Sequence, residues 1–127
     1  MPASHKTPTE SELKILRVIW EHGPKSVREV FDILQEQEDM GHTTVLKLMQ
    51  IMTEKGILTR DASSRPQVFQ ATRPQGQTQR MLLRQLLDRA FSGSPGSLVL
   101  QALTMRKSQP EELAQIRAMI DKLEESS

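Results

Sequence analysis

Thr43, Thr44, Lys47 and Gln50 recur at helical spacing and offer hydroxyls, an ammonium and a carboxamide on one side of a helix. Such a face carries donors and acceptors that could read base edges in a major groove, where a face of only Glu and Lys could not. His42 opens the same helix, at the position from which a helix-turn-helix motif reaches bases. Arg65 lies in a polar loop beyond it, and Lys25 and Arg28 flank the start of an earlier helix, all three suited to phosphate. The chemistry on offer is recognition of a duplex.

Catalysis finds little support in the same residues. The chain has no cysteine, so thiol nucleophiles, thiolate metal sites and disulfides are absent. His5, His22 and His42 have no metal-binding spacing, and neither a nucleophile elbow nor a glycine-rich phosphate loop is present. No enzymatic activity, cofactor or metal is expected. The net charge of +1 is modest, but it is unevenly placed. From Met40 to Arg73 five basic residues (Lys47, Lys55, Arg60, Arg65, Arg73) face only Glu54 and Asp61. From Ser26 to Asp39 Arg28 faces five acids, so one surface is expected to attract phosphate and its neighbour is not. No apolar run approaches the roughly 20 residues of a membrane span, and Met1 to Glu10 is too polar for a signal peptide. A soluble, cytoplasmic protein is expected.

These residues need elements to hold them. Met1 to Pro8, polar and with two prolines, is expected to be a disordered arm. Thr9-Glu10-Ser11-Glu12 is a capping box that opens a helix with Leu13, Leu16, Ile19 and Trp20 inward, ended by His22-Gly23-Pro24. Ser26-Val27-Arg28-Glu29 repeats the box and starts a second helix with Val27, Val30, Phe31 and Leu34 on its apolar stripe. In the third helix Val45, Leu48, Met49 and Met52 line the buried face, and Gly56 supplies its stop. Ile57 to Arg60 and Gln67 to Ala71 then read as two short strands around a loop rich in turn residues. Three helices plus a basic-tipped hairpin, residues 9–73, have the pattern of a winged helix-turn-helix domain, expected to bind DNA.

Pro74-Gln75-Gly76 marks a boundary. Beyond it, one helix carries Leu82, Leu83, Leu86 and Leu87, and a helix or strand with Leu98, Val99, Leu100 and Leu103 is apolar nearly all round. A last helix begins at Pro110 and carries Leu113, Ile116, Ile120 and Leu123 at spacings of three and four. Residues 74–127 are too few to bury these faces alone, which predicts a helical dimerisation domain and a homodimer. The fold class is mostly α.

The order of these segments resembles a known family. A capped helix ending in V-I-W, the run V-x-E-V-F, the helix T-T-V-L-K-L-M-Q-I-M-T-E-K-G-I-L, a wing arginine, L-L-D-R-A-F-S-G-S-P-G-S-L-V-L-Q-A-L and S-Q-P-E-E-L are similar to the penicillinase and methicillin-resistance repressors. The resemblance spans Thr9 to Leu123. It implies a dimeric transcriptional repressor on a dyad-symmetric operator, relieved when a membrane sensor protease leads to cleavage inside the dimerisation domain. The chain departs from that family twice. Gln50-Ile51-Met52 stands where the family often has Asn-Arg-Leu, and Gln101-Ala102 stands where type members are cut between Asn and Phe. A different class of function, a winged-helix protein-interaction module that binds no specific DNA, is favoured by the acidic Ser26-to-Asp39 stretch.

Overall fold

The computed structural model describes residues 7–37 and 39–126. Its elements run α1 (Glu10–His22), α2 (Val27–Leu34), α3 (His42–Glu54), β1 (Leu58–Asp61), β2 (Val68–Ala71), α4 (Gln75–Ala90), α5 (Pro95–Met105) and α6 (Pro110–Glu125). The chain forms two compact units that divide inside α4, between Leu82 and Leu83. Met1 to Lys6 of the expected arm lie outside the described residues, whereas Pro8 is buried.

Both capping boxes form. The Thr9 hydroxyl accepts the Glu12 N–H at 3.2 Å while the Glu12 carboxylate accepts the Thr9 N–H at 2.9 Å. Ser26 and Glu29 repeat the exchange at 3.2 and 2.9 Å. Each box satisfies two amides that a helix start leaves without partners. The end of α3 is equally local: Gly56 sits at φ 83°, Gly56 N–H donates to Thr53 and Ile57 N–H donates to Met52. This left-handed exit costs an ordinary residue roughly 1–2 kcal/mol and glycine little. It turns the chain directly into β1.

The core of the first unit is Ile15, Leu16, Val18, Ile19, Val30, Leu34, Val45, Met49, Met52, Ile57, Leu58 and Phe69. The stripe on α1 is wider than the sequence pattern suggested. Leu13 and Trp20 are only half-buried, while Ile15 and Val18, absent from the expected inward set, are buried. The reason is that α1 packs against α2, α3 and β2 at once, so more than one face of it leaves water. At roughly 1.5–3 kcal/mol for each large aliphatic side chain fully buried, α1 contributes the greatest share of the drive to close this unit. Trp20 adds a polar tie, its indole N–H donating to the Arg73 carbonyl at 3.0 Å.

β1 and β2 pair antiparallel with Leu58 opposite Ala71 and Asp61 opposite Val68. A further rung was not legible in the sequence: Lys25 N–H donates to the Phe69 carbonyl at 3.0 Å and Phe69 N–H returns to Lys25 at 2.8 Å. The hairpin is thereby fastened to the turn between α1 and α2. A second unforeseen tie is ionic. Lys55 Nζ lies 2.8 and 3.1 Å from the two oxygens of Glu12, whose side chain is 3% exposed. Lys55, counted above among the cations of the outer surface, is thus turned inward.

In the second unit the segment from Ser97 is helical, capped by the Ser94 hydroxyl with Pro95 at the first turn. Although α5 is apolar nearly all round, a single chain does not enclose it, and Leu100 is 68% exposed. No described residue from Leu83 onward is buried.

Removing one side of the Glu12–Lys55 pair leaves the other charge in a poor solvent. Lys55→Ala is expected to lower unfolding free energy by about 2–3 kcal/mol, at or just below the usual cost for a buried pair because Lys55 keeps some water contact. Glu12→Leu combined with Lys55→Met should lose less than the two single changes together, as read by denaturant unfolding. Additive losses would show that the pair does not act as a unit.

Candidate nucleic-acid interface

Gly41 caps α3 without a side chain, so the free amides of its first turn are left to outside acceptors. Val45, Met49 and Met52 are fully buried and fix the rotation of the helix about its axis. That rotation leaves Thr43, Thr44, Lys47 and Gln50 exposed, as the periodicity predicted, together with His42 at the helix start, while Ile51 is half-buried. Among the described residues Lys47 makes no hydrogen bond or ion pair, so its ammonium is available to a ligand. The same face includes Leu46, 37% exposed, which the sequence reading passed over. Its spacing of three from Thr43 and four to Gln50 was the available signal. An aliphatic side chain among these polar groups suits a thymine methyl.

The wing loop is organised by Asp61. Its carboxylate accepts the Ser63 hydroxyl at 2.6 Å, the Ser63 N–H at 3.0 Å and the Ser64 hydroxyl at 3.3 Å. The Ser63 hydroxyl first, and then its N–H, hold the Asp61 carboxyl below its ordinary value. Arg65 is exposed, and its guanidinium donates to the carbonyls of Ala62 at 2.8 Å and Ser64 at 3.1 Å. Two of its donors' directions are thereby set before any ligand arrives, and the Arg65–Pro66 bond beside it is cis.

The cation candidates at the start of α2, Lys25 and Arg28, are tied into the fold in different ways. Arg28 stands 3.2 Å from Asp32, with side chains 72% and 58% exposed, and its guanidinium lies over the Phe31 ring at 5.7 Å. An exposed pair one helical turn apart is worth only about 0.3–0.5 kcal/mol and yields easily to a phosphate. Lys25 has its backbone in the rung with Phe69, and its charge acts weakly on the Glu29 carboxylate. That carboxyl is held below its ordinary value chiefly by the Ser26 N–H. His42 meets Phe31 edge to face, with ring centroids 5.3 Å apart and planes at 74°.

The residues expected to join two chains lie in or beside the second unit. Leu83, Leu86, Ile120 and Leu123 are 46–60% exposed, and Leu87, Leu98, Leu103, Leu113 and Ile116 are half-buried. Gln101 and Ala102 are exposed in the middle of α5. Among the described residues no helix is long and apolar enough to cross a membrane, and no cluster could hold a metal.

With this geometry in hand, comparison with known proteins gives two findings. A stretch of 67 residues is 30% identical to an uncharacterized 16.5 kDa protein in the ptsI 3' region of Latilactobacillus sakei. That match covers 53% of this chain and 46% of the relative, so it spans less than half of the relative's length. The second finding reaches much further: the profile of the family described as penicillinase repressor matches residues 8–122, through the capped α1, the outward face of α3, the hairpin and the leucine-rich helices alike. The chain belongs to the penicillinase repressor family.

Proposed function

We propose that this protein is a homodimeric transcriptional repressor that binds a dyad-symmetric DNA operator. Residues 9–73 serve as the winged-helix DNA-binding domain and residues 74–127 as the dimerisation domain. The observation that carries the reading is the orientation of α3. Its apolar side is locked into the core through Val45, Met49 and Met52, while Thr43, Thr44, Leu46, Lys47 and Gln50 face out. In the proposed complex α3 enters the major groove with Thr43, Thr44, Lys47 and Gln50 toward the base edges, His42 at its start meets the DNA, and Arg65 reaches the backbone from the wing. Lys25 and Arg28 add phosphate contacts from the start of α2.

Dimerisation is supported by the second unit's lack of any buried residue among those described. A second copy would cover the α5 and α6 faces and would place two recognition helices on two half-sites. Relief of repression follows from the same design. Severing the Gln101–Ala102 bond, by a membrane sensor protease or a protease it controls, would remove α6 and the end of α5 from the dimer. Because that bond lies within a helix and proteases bind extended chain, α5 must open locally before it is cut; its exposure makes such opening cheap.

The division of labour between α3 and the wing is testable with duplex DNA. Lys47→Ala should cost about 1–3 kcal/mol on an operator selected from a random pool and narrow the gap to random duplex. Arg65→Ala should weaken both alike and lower the slope of log K against log salt by about one. Equal losses on both duplexes for Lys47→Ala, or an unmoved slope for Arg65→Ala, would overturn the assignment. A chain that binds no duplex even at low salt would instead favour the protein-interaction reading, for which the exposed acids Glu29, Asp32, Glu36 and Asp39 are the candidate surface.

Assembly is tested separately. Ile116→Asp with Ile120→Asp should give monomers in which residues 9–73 stay folded, with operator affinity reduced at least about a hundredfold by loss of the linked half-site. Light scattering that returns a monomer for the unmodified protein at micromolar concentration would exclude the dimer. For the release step, mass spectrometry of the protein from induced cells should find a fragment ending at Gln101. Recovery of only intact chain while target genes are active would rule cleavage out.

A further inference from the structure

Phe31 has a surplus of ring for its place in the core. Val30 and Leu34, buried to 0% and 3% exposure, already carry the contact of α2 with the rest of the unit, and Phe31 lies half-buried at the rim. A leucine would fill that rim as well. What the ring does there is meet two side chains from different elements. Arg28, one turn back along α2, places its guanidinium over it at 5.7 Å, and His42, in the first turn of α3, meets it edge to face at 5.3 Å. Arg28 and His42 are otherwise exposed, and long or singly tethered side chains in water sample many rotamers.

We propose that Phe31 is a positioning residue for DNA binding: one aromatic ring orients Arg28 from α2 and His42 from α3 toward the same stretch of phosphate backbone. This rests on the DNA-binding reading and adds to it a residue that does not itself touch DNA. The physical logic is preorganisation. A guanidinium already held on a ring face loses less freedom on meeting a phosphate than one swinging in solvent, and the ring leaves its donor edge free. The Asp32 contact does not compete strongly, since both members of that pair are mostly exposed. Because one ring serves both groups, their orientations are linked, and α2 and α3 present phosphate ligands at a fixed spacing.

The test is binding to a random-sequence duplex at low salt by fluorescence anisotropy, with thermal unfolding recorded for every variant. Phe31→Leu should weaken binding about three- to tenfold, the range expected from losing one or two exposed aromatic contacts. In the background of Arg28→Ala and His42→Ala the same change should add less than about twofold. Phe31→Tyr keeps the ring and should restore the original affinity. His42 ring-proton shifts in the nuclear magnetic resonance spectrum should move in Phe31→Leu and return in Phe31→Tyr. Full affinity in Phe31→Leu, or an equal loss in both backgrounds, would overturn the proposal, the latter because the ring would then act through the core. Should Phe31→Leu fail to fold, unchanged affinity in the exposed-site variants Arg28→Ala and His42→Ala would overturn it equally. Failure of the unmodified protein to bind any duplex would strike the underlying DNA reading and is distinguishable from all of these.

Discussion

The geometry of α3 depends on a carboxylate that has almost no water. Glu12 is the third residue of α1, and its oxygens serve two partners, the Thr9 amide of its own helix and the Lys55 ammonium at the end of α3. Stripping an ion of solvent costs several kcal/mol, roughly, so Glu12 is tolerable inside only where both partners are in place. Lys55 gains a second favourable term, because the carbonyl end of a helix carries partial negative charge. The pair is a poor source of net stability and a strong source of register. Sliding or rotating α3 relative to α1 would strand the carboxylate, whereas a purely apolar contact between Met52 and α1 would tolerate small slips. The outward direction of Lys47, two turns back from Lys55 along α3, is therefore held by the buried Val45, Met49 and Met52 together with an ion pair at the C-terminal end of the helix.

Cations in this chain have different fates. Lys55 is consumed inside the fold, Arg28 rests on Phe31 and Asp32, Arg65 is bonded to its own loop, and Lys47 stands free among the described residues. The local excess of positive charge between Met40 and Arg73 is consequently smaller at the surface than its residue count. What remains is more directed. A positive face built from a few oriented groups gives up less entropy on binding than a larger number of mobile lysines.

The two units solve opposite problems. Among the described residues the first has twelve buried hydrophobic residues, and it closes within one chain. In the second no described residue is buried, although α5 and α6 are rich in leucine, isoleucine and methionine. Helices of 11 and 16 residues with little to pack against are marginal in water, because propensity alone hardly offsets the entropy of ordering them. In the proposed dimer, the order of this unit and the pairing of two recognition helices are one event, which is the condition under which a single cut in α5 could release DNA.

What the sequence by itself determined is what neighbouring residues settle among themselves. The two capping boxes, the glycine exit at Gly56, the proline start of α6 and the outward stripe of α3 all follow from contacts within about four residues or from one residue's φ, and the hairpin from two strand-like runs around a loop rich in turn residues. Tertiary structure decided the partnerships whose members are far apart in the chain. Glu12 finds Lys55 across 43 residues, Trp20 finds the Arg73 carbonyl across 53, and Phe69 pairs with Lys25. Phe31 meets His42 only when α2 and α3 close on α1, and Ile15 and Val18 leave water only because three elements surround that helix. Periodicity shows which side of a helix is apolar, but not how many neighbours will cover it, nor which cation a buried acid will draw inward. Those choices are made by the closing of the core, where burying a polar group without a partner costs more than any local preference can offset.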